Sequence, residues 1–542
     1  MAKTKSQSNS QAQLLKGSAW MTFGSILSRI LGAIYIIPWY AWMGPYGNLA
    51  NSLTAKSYNI YSLFIIISTA GIPGAIAKQI AKYNALNEYG VGQRLFKHGL
   101  SLMAVFGIIS AACMYFLALP LSGYNPQEVP VIRSLAVAVL IIPILSILRG
   151  YFQGFNNMMP SAMSQFVEQL ARVIWMLATA YIIMQVQHGN YVDAVTQSNL
   201  AAAIGAIFAI GMLLWFYLRQ RRQLRPLLAH SNNDLRVSTN SLLFEIIQQS
   251  IPFIIIDAGI NIFQLVDQYT FHPMIASFMH GVHYNTIESW YALFGLNANK
   301  LIMIVVSLAT SMAVTAIPLL SAAHARRDYK DISKQISNTL ELFLFVLMPA
   351  SLGMAAIAKP LYTIFYGPDA LGVKVLYLSS FTAISLGLFT VLMAILQGLD
   401  ENMYAIRYLI IGLVVKSIFQ YPMIRLAKVY GPLLATNIGM LVVIFCALKH
   451  LKVKYRFQAD RTMRRFIGIA TFSILMFLAV SLTVKVAGRF ISPDMRFSAM
   501  ILCGLGVLAG IVVYGGLSLK MGLAERILGS RITRITQKLH LN

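Results

Sequence analysis

The chain has 542 residues, 57% of them hydrophobic and only 11% charged. A soluble protein carries about 25% charged residues, so a water-soluble enzyme and a disordered chain are both excluded, and a membrane protein built of helices remains. The net charge is +25, with 43 Lys and Arg against 18 Asp and Glu. Either the cations form one nucleic-acid-binding face, or they collect on one side of a membrane.

Residues 1–17 are polar and lack an apolar core followed by a cleavage site, so they read as a cytoplasmic tail and not a signal peptide. The first apolar span runs from Ser18 to Trp42 and stops before Gly44-Pro45. Five more follow at roughly 57–80, 96–119, 132–153, 160–184 and 199–218, and a basic stretch from Arg219 to Arg236 interrupts them. Spans at roughly 242–268, 292–322, 337–358, 373–397, 404–424 and 431–450 come next. After a second basic stretch, Lys449 to Arg465, two last spans cover roughly 466–487 and 497–519. These runs are unbroken where a transmembrane barrel would alternate.

The expectation is an all-α polytopic protein of about 14 transmembrane helices. The expected divisions are a tail (1–17), an N-lobe (18–222), a cytoplasmic linker (223–239), a C-lobe (240–451), a basic loop (452–465), two added helices (466–520) and a C-terminal tail (521–542). With the N-terminus placed inside, thirty cations fall on the cytoplasmic side and nine on the other. Positive charge is retained on the cytoplasmic side of membrane proteins. The count therefore puts both termini inside and leaves no basic face for nucleic acid.

The two lobes carry matching punctuation. Gln153-Gly154 closes the fourth span and Gln397-Gly398 the tenth, and with those aligned Arg172 falls on Lys416. Ala75-Ile76 near the end of the second span likewise matches Ala316-Ile317 in the eighth. A separation of six spans preserves orientation, so the lobes are expected to be parallel repeats related by a pseudo-two-fold along the membrane normal.

Charges inside spans are costly and usually kept for function. Here they are Arg29, Glu168, Arg172, Glu245, Asp257, Asp267, Lys300 and Lys416. Glu168 and Arg172 are four apart on one helix face, which suits either an ion pair or a cavity role. Asp257 and Asp267, ten apart, would share a face on a straight helix. With help from Asn261 or Thr310 they could hold a coupling Na+ or H+, or they could be counter-charges for Lys300 and Lys416. The cluster Gly71-Ile72-Pro73-Gly74 is the strongest hinge candidate, through Gly71, Pro73 and Gly74. Cys113, Cys446 and Cys503 share no ligand spacing, and His272, His280 and His283 fit a zinc site poorly. There is no phosphate-binding glycine loop with its lysine, so a nucleotide-driven pump is not indicated.

Three segments resemble a known family: Leu27-Ser-Arg-Ile-Leu-Gly32, Arg149-Gly-Tyr-Phe-Gln-Gly154, and Pro160-Ser-Ala-Met-Ser-Gln-Phe-Val-Glu-Gln169 with Arg172. They are similar to the polysaccharide-biosynthesis branch of the multidrug/oligosaccharidyl-lipid/polysaccharide flippase superfamily, and within it to the MurJ-type lipid II flippases of Gram-positive bacteria. The resemblance implies two six-helix lobes in a V, alternating access, no enzymatic activity, and transfer of an undecaprenyl-pyrophosphate-linked precursor to the outer leaflet. It implies that Arg29 faces the cavity, that Lys300 takes the place of a family arginine, and that residues 466–520 form a groove for the lipid tail. Gram-negative relatives carry further arginines where Tyr35, Ile65 and Ile66 stand here. The expected substrate-binding set is therefore Arg29, Arg172, Lys300, Glu168, Lys56 and Lys416. The implied surroundings are a bacterial cell membrane, a lipid-linked oligosaccharide and the cell-wall synthesis machinery. An exporter of another lipid-linked glycan is the alternative. A drug/cation antiporter is disfavoured by the cations of the first lobe, and a membrane glycosyltransferase by outer loops that hold only isolated acids.

Overall fold

The computed structural model describes residue 28 and residues 31–528, apart from 70, 156, 230 and 232–238. Arg29 lies outside the described residues, as do the whole N-terminal tail (1–17) and residues 529–542. The described chain is helical, with no strand among the described residues. An apolar backbone in lipid must satisfy its N–H and C=O groups internally, and helices do so within one segment.

In the first half the helices are α1 (Ile36–Met43), α2 (Gly47–Thr69), α3 (Ile72–Ala85), α4 (Tyr89–Phe116), α5 (Glu128–Gly154), α6 (Met158–Tyr181), α7 (Tyr191–Ala229) and α8 (Thr239–Asp257). The second half holds α9 (Gly259–Phe278), α10 (Tyr284–Ala292), α11 (Asn299–Ala325), α12 (Tyr329–Ala356), α13 (Ala358–Tyr366) and α14 (Ala370–Gly398). It ends with α15 (Asn402–Ala427), α16 (Gly431–Tyr455), α17 (Ala459–Ala487) and α18 (Arg496–Lys520).

By length and hydropathy, 11 helical stretches could each cross a membrane, or 12 with the bent pair α8–α9 counted as one. Two of these stretches, Leu31–Ala85 and Asn402–Tyr455, are 55 and 54 residues long. At 1.5 Å per residue either would far exceed a hydrocarbon core of about 30 Å. Each is broken by a three-residue turn, at Gly44–Tyr46 and Lys428–Tyr430. The protein is thus a multi-pass membrane protein.

The chain forms two compact units that meet in sequence at Leu265 and Val266, within α9 and later than the 223–239 linker. The reason is that α8 packs against α2, α3 and α4. Its Ile246 joins the buried cluster of Ile72, Ile76, Ile80, Phe96 and Phe152. In the first unit α5 is the central helix, contacted by α3, α4 and α7, with α6 against α7. The second unit repeats this order: α14 is contacted by α11, α12 and α16, with α15 against α16.

The repeated Gln-Gly pairs sit at matching contacts. A Cβ on Gly154 would lie 2.8 Å from the Ile80 side chain and 3.0 Å from the Ala77 carbonyl oxygen. One on Gly398 would lie 3.3 Å from the Ile317 backbone. A larger residue would push apart the helix pair that each glycine joins. In the second unit α17 packs on α12, and α18 on α17 and α13. Buried Glu341 of α12 fastens the start of α17, accepting from Arg465 and lying 3.6 Å from Arg461.

Candidate functional site

Two of the three sequence segments that carry the family resemblance form one polar zipper between α5 and α6. Ser161, Ser164, Glu168 and Arg172 recur at helical spacing, so they share a face of α6. Arg149, on α5, donates from Nε to Ser164 Oγ at 2.9 Å and from Nη2 to Glu168 Oε2 at 2.6 Å. One turn further along α5, Gln153 donates to Ser161 Oγ at 3.0 Å. Both charged side chains are 18% exposed.

Glu168 therefore has Arg149 as its close partner, although Arg149 reads as a cytoplasmic cation in the sequence. Arg172, one turn beyond Glu168, is half-buried and lies beside the Tyr61 hydroxyl of α2. Tyr35, Tyr58 and Glu168 also face the guanidinium. Arg172 is thus surrounded by three phenols and one carboxylate.

Lys56 of α2 is buried and lies 3.4 Å from Glu128 Oε1 of α5, and Asn125 Nδ2 donates to the same oxygen at 3.1 Å. Lys300 stands half-buried in the first turn of α11, directly after the π-helical stretch Leu293–Ala298. Such stretches are frequent at functional sites.

Asp257 ends α8 and is exposed. A 48° bend at the break after Asp257 separates it from Asp267. The straight three-turn face expected for the pair is therefore absent: the turn residue Ala258 and Gly259 interrupt the helix. Asn261 donates to Ser62 Oγ at 2.8 Å. Asp267 is buried in the second unit, where Lys416 Nζ donates to Oδ2 at 2.8 Å and Gln420 Nε2 to Oδ1 at 2.8 Å. Among the described residues no group of three or more His, Cys, Asp or Glu could hold a metal ion.

Of the hinge residues, Gly71 sits between α2 and α3 with φ +76°, Pro73 opens α3, and Gly74 has open space around it. The side chain of Thr310 lies outside the described residues.

The second unit also contains an apolar cavity of about 620 Å³. Leu301 of α11, Phe345 of α12, Ile357, Met476 and Val480 of α17 and Tyr514 of α18 line it. Tyr514 Oη donates to the Phe345 carbonyl at 2.9 Å, so even its polar atom is satisfied within the wall.

The described chain is a multi-pass helical bundle with arginines held beside phenols and carboxylates, and its fold matches solved structures of membrane carriers. One described as "Lipid II flippase MurJ, inward closed conformation" aligns with a TM-score of 0.63 over 92% of this chain and 99% of that one, at 12% identity. An inward-facing multidrug resistance MATE family transporter of the MOP superfamily aligns with a TM-score of 0.61 over 79% and 94%, at 14% identity. At these identities the likeness is one of fold. Residues 14–324 match the family described as "Polysaccharide biosynthesis protein". The chain is 32% identical, over 97% of its length and 99% of the relative's, to a Bacillus subtilis protein named "Lipid II flippase MurJ". It is 23% identical over 81% of its length and 80% of the relative's to the B. subtilis "Uncharacterized membrane protein YabM". The chain belongs to the polysaccharide biosynthesis protein family, on the branch of MurJ-type flippases.

Proposed function

We propose that the protein is a carrier, not an enzyme, that flips lipid II from the inner to the outer leaflet of a bacterial cell membrane by alternating access. The observation that carries this reading is the 32% identity to the B. subtilis flippase along 97% of the chain. The chemistry agrees with it. A diphosphate must cross about 30 Å of hydrocarbon, and fixed cations replace the water it loses. Arg172 offers planar donors suited to phosphate oxygens, with Arg29, Lys56 and Lys300 as the other cations of the proposed set and Glu168 orienting the first unit's cluster, whereas Lys416, fully buried against Asp267, is left out of it.

The polyprenyl tail needs the opposite environment, and the apolar cavity between α11, α12, α17 and α18 offers it. Both termini face the cytoplasm in this reading, which rests on the excess of cations in the loops on that side. The empty carrier resets with the membrane potential, worth roughly 2.3 kcal/mol per charge per 100 mV, or with a coupling Na+ or H+. The cell-wall synthesis machinery is the proposed partner that supplies and consumes the lipid.

Depleting the protein in its host, then measuring which lipid-linked intermediate builds up on the inner leaflet, tests the reading. Lipid II should accumulate. Accumulation of a capsule- or teichoic-type intermediate would replace the substrate, and a change in drug tolerance alone would overturn the reading.

A further inference from the structure

Asp267 of α9 is buried among oxygen atoms. Its carboxylate takes a hydrogen bond from Gln420 at 2.8 Å, and the Thr436 hydroxyl lies close to it. Gln420 Nε2 also donates to Thr270 Oγ1 at 3.1 Å. The remaining atom of that amide, Gln420 Oε1, is buried and has no hydrogen-bond partner among the described residues. The Asp267 carboxylate and the Thr270 and Thr436 hydroxyls near it are hard oxygen donors of the kind a small monovalent cation takes, with a single negative charge to match a single positive one, and rotating the Gln420 amide, whose Nε2 now faces them, would add its oxygen.

The cation position beside this carboxylate is taken by the chain itself. Lys416 projects from α15 with its side chain fully buried, and its Nζ lies 2.8 Å from Asp267 Oδ2. A free Na+ at the same oxygen would have to displace an ammonium that cannot leave the helix, and would bury two positive charges against one negative. The residues present therefore do not fit a coupling Na+ at Asp267.

We infer that Lys416 is a built-in replacement for the cation of a sodium-type site formed by Asp267, Thr270, Gln420 and Thr436, so that the protein neither needs nor binds Na+ at that position. The inference concerns the ion alone and holds whatever the cargo is. It narrows the energy source, because an ammonium fixed to α15 cannot be exchanged across the membrane as a travelling ion would be. It also predicts a latent site: with the ammonium removed, the oxygen shell and the uncompensated carboxylate should accept Na+. Burying a lone charge is strongly unfavourable; either a proton or Na+ would neutralise the carboxylate, so the Na+ measurements are made at alkaline pH, where the proton competes least.

The test uses purified full-length protein, with radioactive Na+ binding and Tm measured in NaCl against choline chloride at equal ionic strength. The wild type should bind no Na+ at this site and show the same Tm in both salts. Lys416→Gln should melt low in choline, bind Na+ saturably, and gain Tm with the logarithm of the Na+ concentration. Adding Asp267→Asn should abolish that response, and Lys416→Arg should stay insensitive to Na+. Na+-specific stabilisation of the wild type that Asp267→Asn removes would overturn the inference. So would a monodisperse Lys416→Gln protein that binds no Na+. If Lys416→Gln fails to fold in either salt, the wild-type measurement decides alone. None of these readings requires substrate, so failure of the flippase reading would leave them unchanged.

Discussion

Arg149 and Glu168 meet at 2.6 Å across two helices that the chain joins through residues 155–157 alone. The pair is mostly withdrawn from solvent, and Ser164 completes the guanidinium's fork. Removing one partner leaves the other charge poorly compensated. Arg149→Ala or Glu168→Ala should therefore cost about 2–4 kcal/mol of stability. The double variant should cost less than the sum of the two, and a double-mutant cycle on thermal unfolding of purified protein measures the difference. Strict additivity would show that the pair contributes no coupling.

Arg172 lies one turn beyond and answers to Tyr61. Its expected role is in transport and not in holding α5 to α6. Arg172→Ala should abolish complementation of a depletion strain while the protein remains inserted and melts within about 1 kcal/mol of wild type. Arg172→Lys should recover little, since an ammonium cannot present the guanidinium fork. Full complementation by Arg172→Ala would remove it from the proposed diphosphate site.

How much of this is legible in the sequence depends on distance along the chain. The face of Ser161, Ser164, Glu168 and Arg172 follows from helical spacing alone. The role of Arg149 does not, because it lies near a helix end and reads as one more loop cation. Its spacing of four to Gln153, facing serines on the next helix, is the signal that could have found it. Lys56 and Glu128 meet on helices separated by two others in sequence, and no local pattern predicts that. The shared face of Asp257 and Asp267 fails because the chain turns at Ala258, where Gly259 is the only local sign of a break. Composition and hydropathy suffice for the class of fold, because lipid leaves few alternatives to helices.

Gly71 carries two separable constraints. Its φ of +76° disfavours any side chain, and an added Cβ would lie 2.9 Å from Ser250 Oγ on α8. Gly71→Ala should cost about 1–3 kcal/mol and slow transport. Pairing it with Ser250→Gly should return only the part due to the clash. Complete recovery by the pair would mean that the backbone conformation imposes no cost.

The loop residue Glu401 makes stability sensitive to acid. Burial works to raise its carboxyl, but hydrogen bonds from Lys454 and Tyr455 and the charge of Lys454 outweigh it, leaving the group below its ordinary value of 4.5. A carboxyl depressed in the folded state stabilises the fold above its unfolded value and loses that contribution as pH falls through the folded one. The wild type should lose more Tm than Glu401→Gln as pH is lowered below about 4.5, with the two profiles parallel above it. Profiles that stay parallel at acid pH would show that Glu401 contributes no such linkage.

The apolar cavity allows the tail to be tested apart from the headgroup. Gly515 lines it, and a Cβ added there would meet no atom within 4 Å. Gly515→Leu should therefore fold with stability close to wild type, since it displaces no neighbour and replaces a poor helix former with a good one. The new side chain would project into space assigned to the polyprenyl chain. In vesicles, flipping of a long-chain lipid II should fall severalfold, while a short-chain analogue with the same diphosphate and sugar should move at nearly the wild-type rate. Equal inhibition of the two lipids would place the defect in the carrier's motion, and no inhibition of either would place the tail elsewhere.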